Sequence, residues 1–278
     1  MRWKLLVLTV AVAVLALPAT AFADLLTPES GSGSPNAEEI DTLYKLIGVI
    51  AIIVFVVVEG ALLWAFVKFK AKKGAVAAQI HGNTRLEIGW TVGAAAILIF
   101  LVVFTFIKLP DIKNPAPTGE NGLQFASQSL YASTDQPPPP GGDALTIVVD
   151  GQQYVWRFQY PGEEDVFAYT EMVVPVDTTV ILDITADDVN HSWWIPDLGG
   201  KFDAIPGYTN HTWFKAAYEG TYRGQCAELC GRNHANMLAQ VRVVSPEEYT
   251  QWYEDQIVRI DEARQAQQEN RPDFSEGN

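Results

Sequence analysis

The stretch GQCAELCGRNHANM, residues 224–237, holds both cysteines of the 278-residue chain together with Glu228, His234 and Met237. Thiolate, imidazole and thioether are soft and borderline donors, a set that suits copper. Structural zinc prefers a closed set of cysteine and histidine without a thioether. Covalent haem attachment needs two cysteines at shorter spacing with a histidine directly after the second, and the chain lacks that pattern. A disulfide is the competing reading, because cysteines outside the cytoplasm pair. Only three residues separate Cys226 from Cys230, so that ring is small and strained, and a bare disulfide leaves His234 and Met237 without a purpose. A mononuclear blue copper site takes one cysteine, two histidines and a weak methionine. Two cysteines point instead to two bridged ions, each needing its own imidazole. The second imidazole must come from another loop, and His191 in DVNHSWW, at the end of a predicted strand, is favoured. His211 in TNHTWF reads as a partly exposed strand residue, and His81 falls on the opposite side of the membrane.

That side is set by the first half of the chain. Residues 1–23 carry Arg2 and Lys4, a short apolar run and small residues at Ala21 and Ala23, the pattern of a cleaved secretory signal. Residues 24–42 then form an external N-terminal segment. Two apolar runs, 43–67 and 90–109, are each long enough to cross a hydrocarbon core of ~30 Å at ~1.5 Å per residue. The loop between them, 68–89, holds Lys68, Lys70, Lys72, Lys73 and Arg85, which marks it as cytoplasmic. The expected topology is a membrane hairpin of two transmembrane α-helices with everything after residue 109 outside, on the outer face of a bacterial plasma membrane.

Residues 110–143 read as a Pro/Gly-rich linker that includes PPPP at 137–140. From 144 to 245 short strands dominate. In YVWRFQY, Tyr154, Trp156, Phe158 and Tyr160 alternate with Val155, Arg157 and Gln159, and in TTVILDIT Val180, Leu182 and Ile184 fall on one side at the same period of two. HTWF, GTYRGQC and AQVRVV are further strands between turn signals, indicating an all-β Greek-key sandwich or barrel. The polar tail, 246–278, is expected to be partly helical and loosely packed.

A membrane hairpin followed by DVNHSWWIPDLGGKFDAIPG and GQCAELCGRNHANM resembles subunit II of haem–copper cytochrome c oxidases, over nearly the whole chain after the signal. The resemblance implies a cupredoxin-like barrel with a dinuclear copper centre, CuA. One copper would take His191 and Met237, the other His234 and the main-chain carbonyl of Glu228, and both would share Cys226 and Cys230. It implies a magnesium ion at the subunit I interface on the Glu228 side chain. The partners implied are subunit I and further oxidase subunits, with cytochrome c, free or tethered, as electron donor. Where similar proteins receive the electron at a tryptophan in GHQWYW, this chain has GQQYVW, with Tyr154 at the matching position and Trp156 two residues on. Both rings are also explained as barrel core. Glu87 matches the glutamate at the mouth of a proton pathway, although a charged residue at a membrane interface needs no special role. Glu59, inside the first apolar run, has no role that the family implies.

The net charge of −14 argues against nucleic acid and for a basic partner. Asp187 and Asp188, flanking His191, fit a docking face for such a partner, or simply a solvated turn. The expectation is therefore an electron-receiving oxidase subunit, not catalytic alone, in a complex that reduces oxygen to water and translocates protons. A membrane-tethered copper delivery protein is the alternative. A quinol oxidase subunit would share the fold and lack the copper ligands.

Overall fold

The computed structural model describes residues 33–70, 74, 76, 79–123, 144–162 and 165–270. The signal segment and the PPPP stretch lie outside the described residues. The described residues form two compact units, a helical one from Asp41 to Pro110 and a β-rich one built from residues 33–40 and those after Pro110.

Helix α1 (Pro35–Lys68) and helix α2 (Thr84–Lys113) carry the two apolar runs. Each is longer than its apolar run. Pro35 opens α1 as first helical residue, where a missing N–H is harmless, and Glu38 N bonds back to Ser34 O at 3.1 Å. At the start of α2, Asn83 Oδ1 accepts from Leu86 N at 3.2 Å, and Glu87 Oε1 accepts from Asn83 N at 3.2 Å. Two orphan donors are thereby satisfied reciprocally. The far end of α2 continues past Pro110, where the sequence reading places the linker, because a proline in the last turn removes only one ladder bond. Both helices expose large apolar side chains around their circumference, among them Val56, Leu63, Trp64, Ile99 and Phe106. A helix apolar all round is built for a membrane or a protein interior.

Among the described residues the β-rich unit has ten strands. They are β1 (Leu145–Gln152), β2 (Val155–Gln159), β3 (Phe167–Tyr169), β4 (Glu171–Pro175), β5 (Thr179–Ala186), β6 (His191–Trp193), β7 (Phe202–Ala204), β8 (Asn210–Lys215), β9 (Gly220–Gln225) and β10 (Leu238–Val244). They assemble as a five-stranded sheet in the order β3-β2-β1-β5-β8, a three-stranded sheet β4-β10-β9 and a short hairpin β6-β7. Non-consecutive neighbours and the parallel pairs β1–β5 and β4–β10 give the Greek-key crossing of a two-sheet sandwich.

Period-two alternation explains the core. Trp156, Phe158 and Tyr160 turn inward and are buried, with Val180, Leu182 and Ile184 opposite and Met172, Val174, Val241 and Val243 from the second sheet. Central strand β5 is buried on its other face as well, where Ile181 packs with Ala144 and Trp213. The tail is not loose. Helix α3 (Pro246–Glu269) is capped by Ser245, whose Oγ accepts from Glu248 N at 3.2 Å. It docks through Tyr249, Trp252, Tyr253, Ile257 and Ile260, an apolar stripe at helical spacing that outweighs the polarity of the rest.

Candidate metal centre

Three backbone devices assemble the donors. Strands β9 and β10 pair antiparallel up to Gln225 and Leu238, so residues 226–237 form a loop whose two ends are fixed side by side. Cys226 N donates to Met237 O at 2.9 Å, which closes that loop at its base. Hairpin β6–β7 brings His191 against it, with Ala227 N bonded to Ser192 O at 2.9 Å and Gln225 N to Trp194 O at 3.1 Å. Gly224 permits this approach, since a Cβ there would lie 2.0 Å from Trp194 O. Within the loop a short turn, His234–Asn236, directs His234 back towards the cysteines.

The result is a cluster in which Cys226 Sγ and Cys230 Sγ stand 3.7 Å apart, both thiols free. A disulfide would need about 2.05 Å. His191 Nδ1 lies 3.8 Å from Cys226 Sγ, and His234 Nδ1 lies 3.5 Å from Cys230 Sγ. Met237 Sδ is 3.8 Å from Cys230 Sγ, and the Glu228 carbonyl oxygen is 3.2 Å from Cys226 Sγ. Each sulfur thus has one imidazole nitrogen and one weak donor beside it. His191, Cys226, Cys230 and Met237 are buried and His234 is half-buried. The side chain of Glu228 is exposed.

The orientation of His191 is held from behind. Its Nε2 meets Asp188 Oδ1 at 2.8 Å, leaving Nδ1 facing the sulfur pair. A ring nitrogen held by a carboxylate, with the other nitrogen turned to a donor cluster, is the arrangement that orients metal-bound histidine. Burial disfavours the Asp188 charge, but hydrogen bonds from His191 and from the amides of Gln153 and Val189 hold its carboxyl below the usual range. Gly151 in β1 lies under the imidazole, where a Cβ would sit 2.9 Å from His191 Cδ2. Burial, with Cys226 adding to it, pushes the Cys230 thiol up to about 11. Holding a cation there requires loss of that proton, which a soft divalent or monovalent metal readily drives. The donor set of two thiols, two imidazoles, a thioether and a carbonyl fits copper and not a closed zinc site.

The remaining singled-out residues fall elsewhere. Tyr154 is half-buried and covers the loop, and a Cβ on Gly231 (φ 130°) would lie 2.6 Å from its hydroxyl. Trp156 is fully buried, edge-on to His191 at 5.9 Å and to Trp193 at 5.4 Å, so it has no surface to offer a partner. Asp187 is exposed beside Asp188. His211 is paired with Asp183 at 2.7 Å on β8 and takes no part in the sulfur cluster. Glu87 caps α2 and Glu59 is half-buried in α1. Sequence reasoning missed Gln153, whose Nε2 donates to Cys230 O at 2.6 Å and whose amide donates to Asp188 at 2.7 Å. The signal available for Asp188 was its spacing three residues before His191.

Comparison with known proteins agrees with this architecture. Residues 28–107 match the family model of the cytochrome c oxidase subunit II transmembrane domain, and residues 168–244 match that of its periplasmic domain. The chain is 35% identical over 239 residues to cytochrome c oxidase subunit 2 of Cereibacter sphaeroides, covering 80% of this chain and 78% of that one. It is 34% identical over 230 residues to the corresponding protein of Alkalihalophilus pseudofirmus, covering 82% of this chain but only 61% of that relative. Among solved structures, the periplasmic domain of subunit II of cytochrome oxidase of Bradyrhizobium japonicum is 39% identical, with a TM-score of 0.40 over 41% of this chain and 94% of that one.

Proposed function

This chain belongs to the cytochrome c oxidase subunit II family, and from that premise we propose that its cupredoxin-like outer domain holds a dinuclear copper centre, CuA, that receives electrons from cytochrome c for a haem–copper oxidase. The observation that carries the reading is the pair of buried, unjoined sulfurs 3.7 Å apart with an imidazole Nδ1 turned to each. When bound, copper supplies one-electron redox chemistry.

The rest is the work of the chain. Cys226 and Cys230 would hold the copper pair as thiolates, with His191, Met237, His234 and the Glu228 carbonyl as the remaining donors. Asp188 and Gly151 fix the His191 ring, and the paired strands β9 and β10 hold the ligand loop so that little rearranges when charge changes. Burial of the donors excludes water from them. Tyr154, covering the loop at the surface, is the residue through which the donor's electron arrives, and the acidic exterior attracts a basic cytochrome c. From the centre the electron passes to haem a in subunit I. The Glu228 carboxylate, which is exposed, would serve as a ligand to a magnesium ion shared with subunit I. Glu87, at the start of α2, serves as the mouth of a proton path in addition to capping the helix.

A tethered copper delivery protein would expose its ligands for exchange, whereas His191, Cys226, Cys230 and Met237 are buried, the last three in a loop closed at its base by paired strands, which favours electron transfer. The test uses the intact complex. Cys230→Ser should abolish rapid reduction by cytochrome c while small-molecule reductants still reduce the haems; rapid reduction by cytochrome c in that variant would refute the assignment.

A further inference from the structure

A pair of carboxyls beside the sulfur cluster has no part in holding metal. Asp150 lies in β1, in register with Arg157 of β2 and Thr185 of β5, and is only 7% exposed. Its Oδ1 has no hydrogen-bond partner among the described residues. Gln152 Nε2 donates to Asp150 Oδ2 at 3.1 Å and also to Asp187 Oδ2 at 2.8 Å. Asp187 is held there by its own amide, bonded to Gly151 O at 3.1 Å. Two carboxyls are therefore fixed around one amide group, within reach of a hydrogen bond between them once Asp150 is protonated.

With both ionised, this arrangement is unfavourable twice over. A buried carboxylate oxygen lacks a donor, and a second negative charge stands next to it. One proton relieves both, because it turns an acceptor–acceptor contact into an O–H···O⁻ bond. A divalent cation is the poorer occupant, since Arg157 faces Asp150 across the ladder and only two carboxylates are on hand. Arg157 and Asp187 are the charged groups that face Asp150, and Arg157 is itself 3.7 Å from Asp165. Burial is the main cause that pushes the Asp150 carboxyl up to about 6, with Asp187 adding to it and Gln152 and Arg157 opposing.

We propose that Asp150 takes up a proton on mild acidification and shares it with Asp187 as a hydrogen bond, and that this proton reduces the negative charge of the face that captures the electron donor. The proposal rests on the docking reading above, since Asp187 stands next to Asp188 at the rim of the metal centre. A folded-state value raised above the unfolded one means that the folded chain binds the proton more tightly. Stability thus increases as pH falls through the folded value, and the penalty is greatest on the alkaline side.

Two measurements test it. In the detergent-solubilised full chain, Asp150→Asn should have the higher Tm at about pH 7.5, with the advantage narrowing as pH falls through about 6 and gone only below about pH 4. Asp187→Asn should show the same convergence. Parallel Tm profiles for wild type and both variants would overturn the shared proton. In the intact complex at low ionic strength, Asp150→Asn should raise KM for a basic cytochrome c about twofold at the alkaline end, with the two KM values meeting at the acid end. A KM ratio that stays constant with pH would overturn the link to docking. A wild-type KM with no salt dependence would instead refute the docking reading, and with it the link, while the Tm comparison would still decide the proton.

Discussion

Asp188 directs one carboxylate oxygen at His191 Nε2 and the other at the amide of Gln153, whose side chain in turn bonds the Cys230 carbonyl. Its charge is therefore turned inward on the ligand set as much as outward on solvent. Asp188→Asn should lower copper affinity by about 10–100-fold, as loss of such partners does elsewhere. Copper retention against a competing chelator measures it, and unchanged retention would remove Asp188 from that role. Met237→Leu conserves volume in a fully buried position, so the fold should hold within about 1.5 kcal/mol while the reduction potential and visible spectrum change. An unaltered potential would exclude the thioether as a donor. Cys226, Cys230, His234 and Met237 were legible in the sequence as candidate ligands because donor chemistry is written in residue type and local spacing. The role of Asp188 was not, because an aspartate on a turn reads equally as surface charge. For Trp156 the sequence left barrel core and electron entry both open, since a strand pattern gives the face a ring occupies and not whether that face meets solvent; the ring is core.

Elements explain why the donors meet. The β9–β10 register fixes Cys226 beside Met237, and hairpin β6–β7 delivers His191 from a distant part of the chain. Alternation in YVWRFQY and TTVILDIT revealed β2 and β5, but the parallel pairing of β1 with β5 is a long-range choice that no local pattern encodes. Helix α3 was the element read least well. Its stripe of Tyr249, Trp252, Tyr253, Ile257 and Ile260 is thinly spread among charges, yet it packs on the core. Gln256 Nε2 also bonds the Phe167 carbonyl of β3 at 2.8 Å, and α3 packs along β4, the outer strand of the three-stranded sheet. Covering an edge strand protects it from unwanted pairing. Trp252→Ala should destabilise the β-rich unit by about 2 kcal/mol with the copper spectrum unchanged. Denaturant unfolding of the full chain reads this, and a shift below about 0.5 kcal/mol would mean that α3 adds nothing.

On the scale of the whole molecule, two features stand out, the apolar circumference of α1 and α2 and the charge of −14. The first suits a membrane, in line with the match of residues 28–107 to the subunit II transmembrane domain and of residues 168–244 to its periplasmic domain. The second should govern association with the donor. KM for a basic cytochrome c should rise steeply with ionic strength, and Asp187→Asn should flatten that rise without copper loss, since Asp187 bonds no ligand. Identical salt dependence in variant and wild type would move the docking face elsewhere. The account as a whole depends on two sulfurs clasping two metal ions. Copper per chain in the purified intact complex, determined together with its electron paramagnetic resonance spectrum, tests this most directly. The account predicts two coppers and one unpaired electron shared equally between them. A single copper with an electron confined to one nucleus, or Cys226 and Cys230 joined as a disulfide in the active complex, would contradict it.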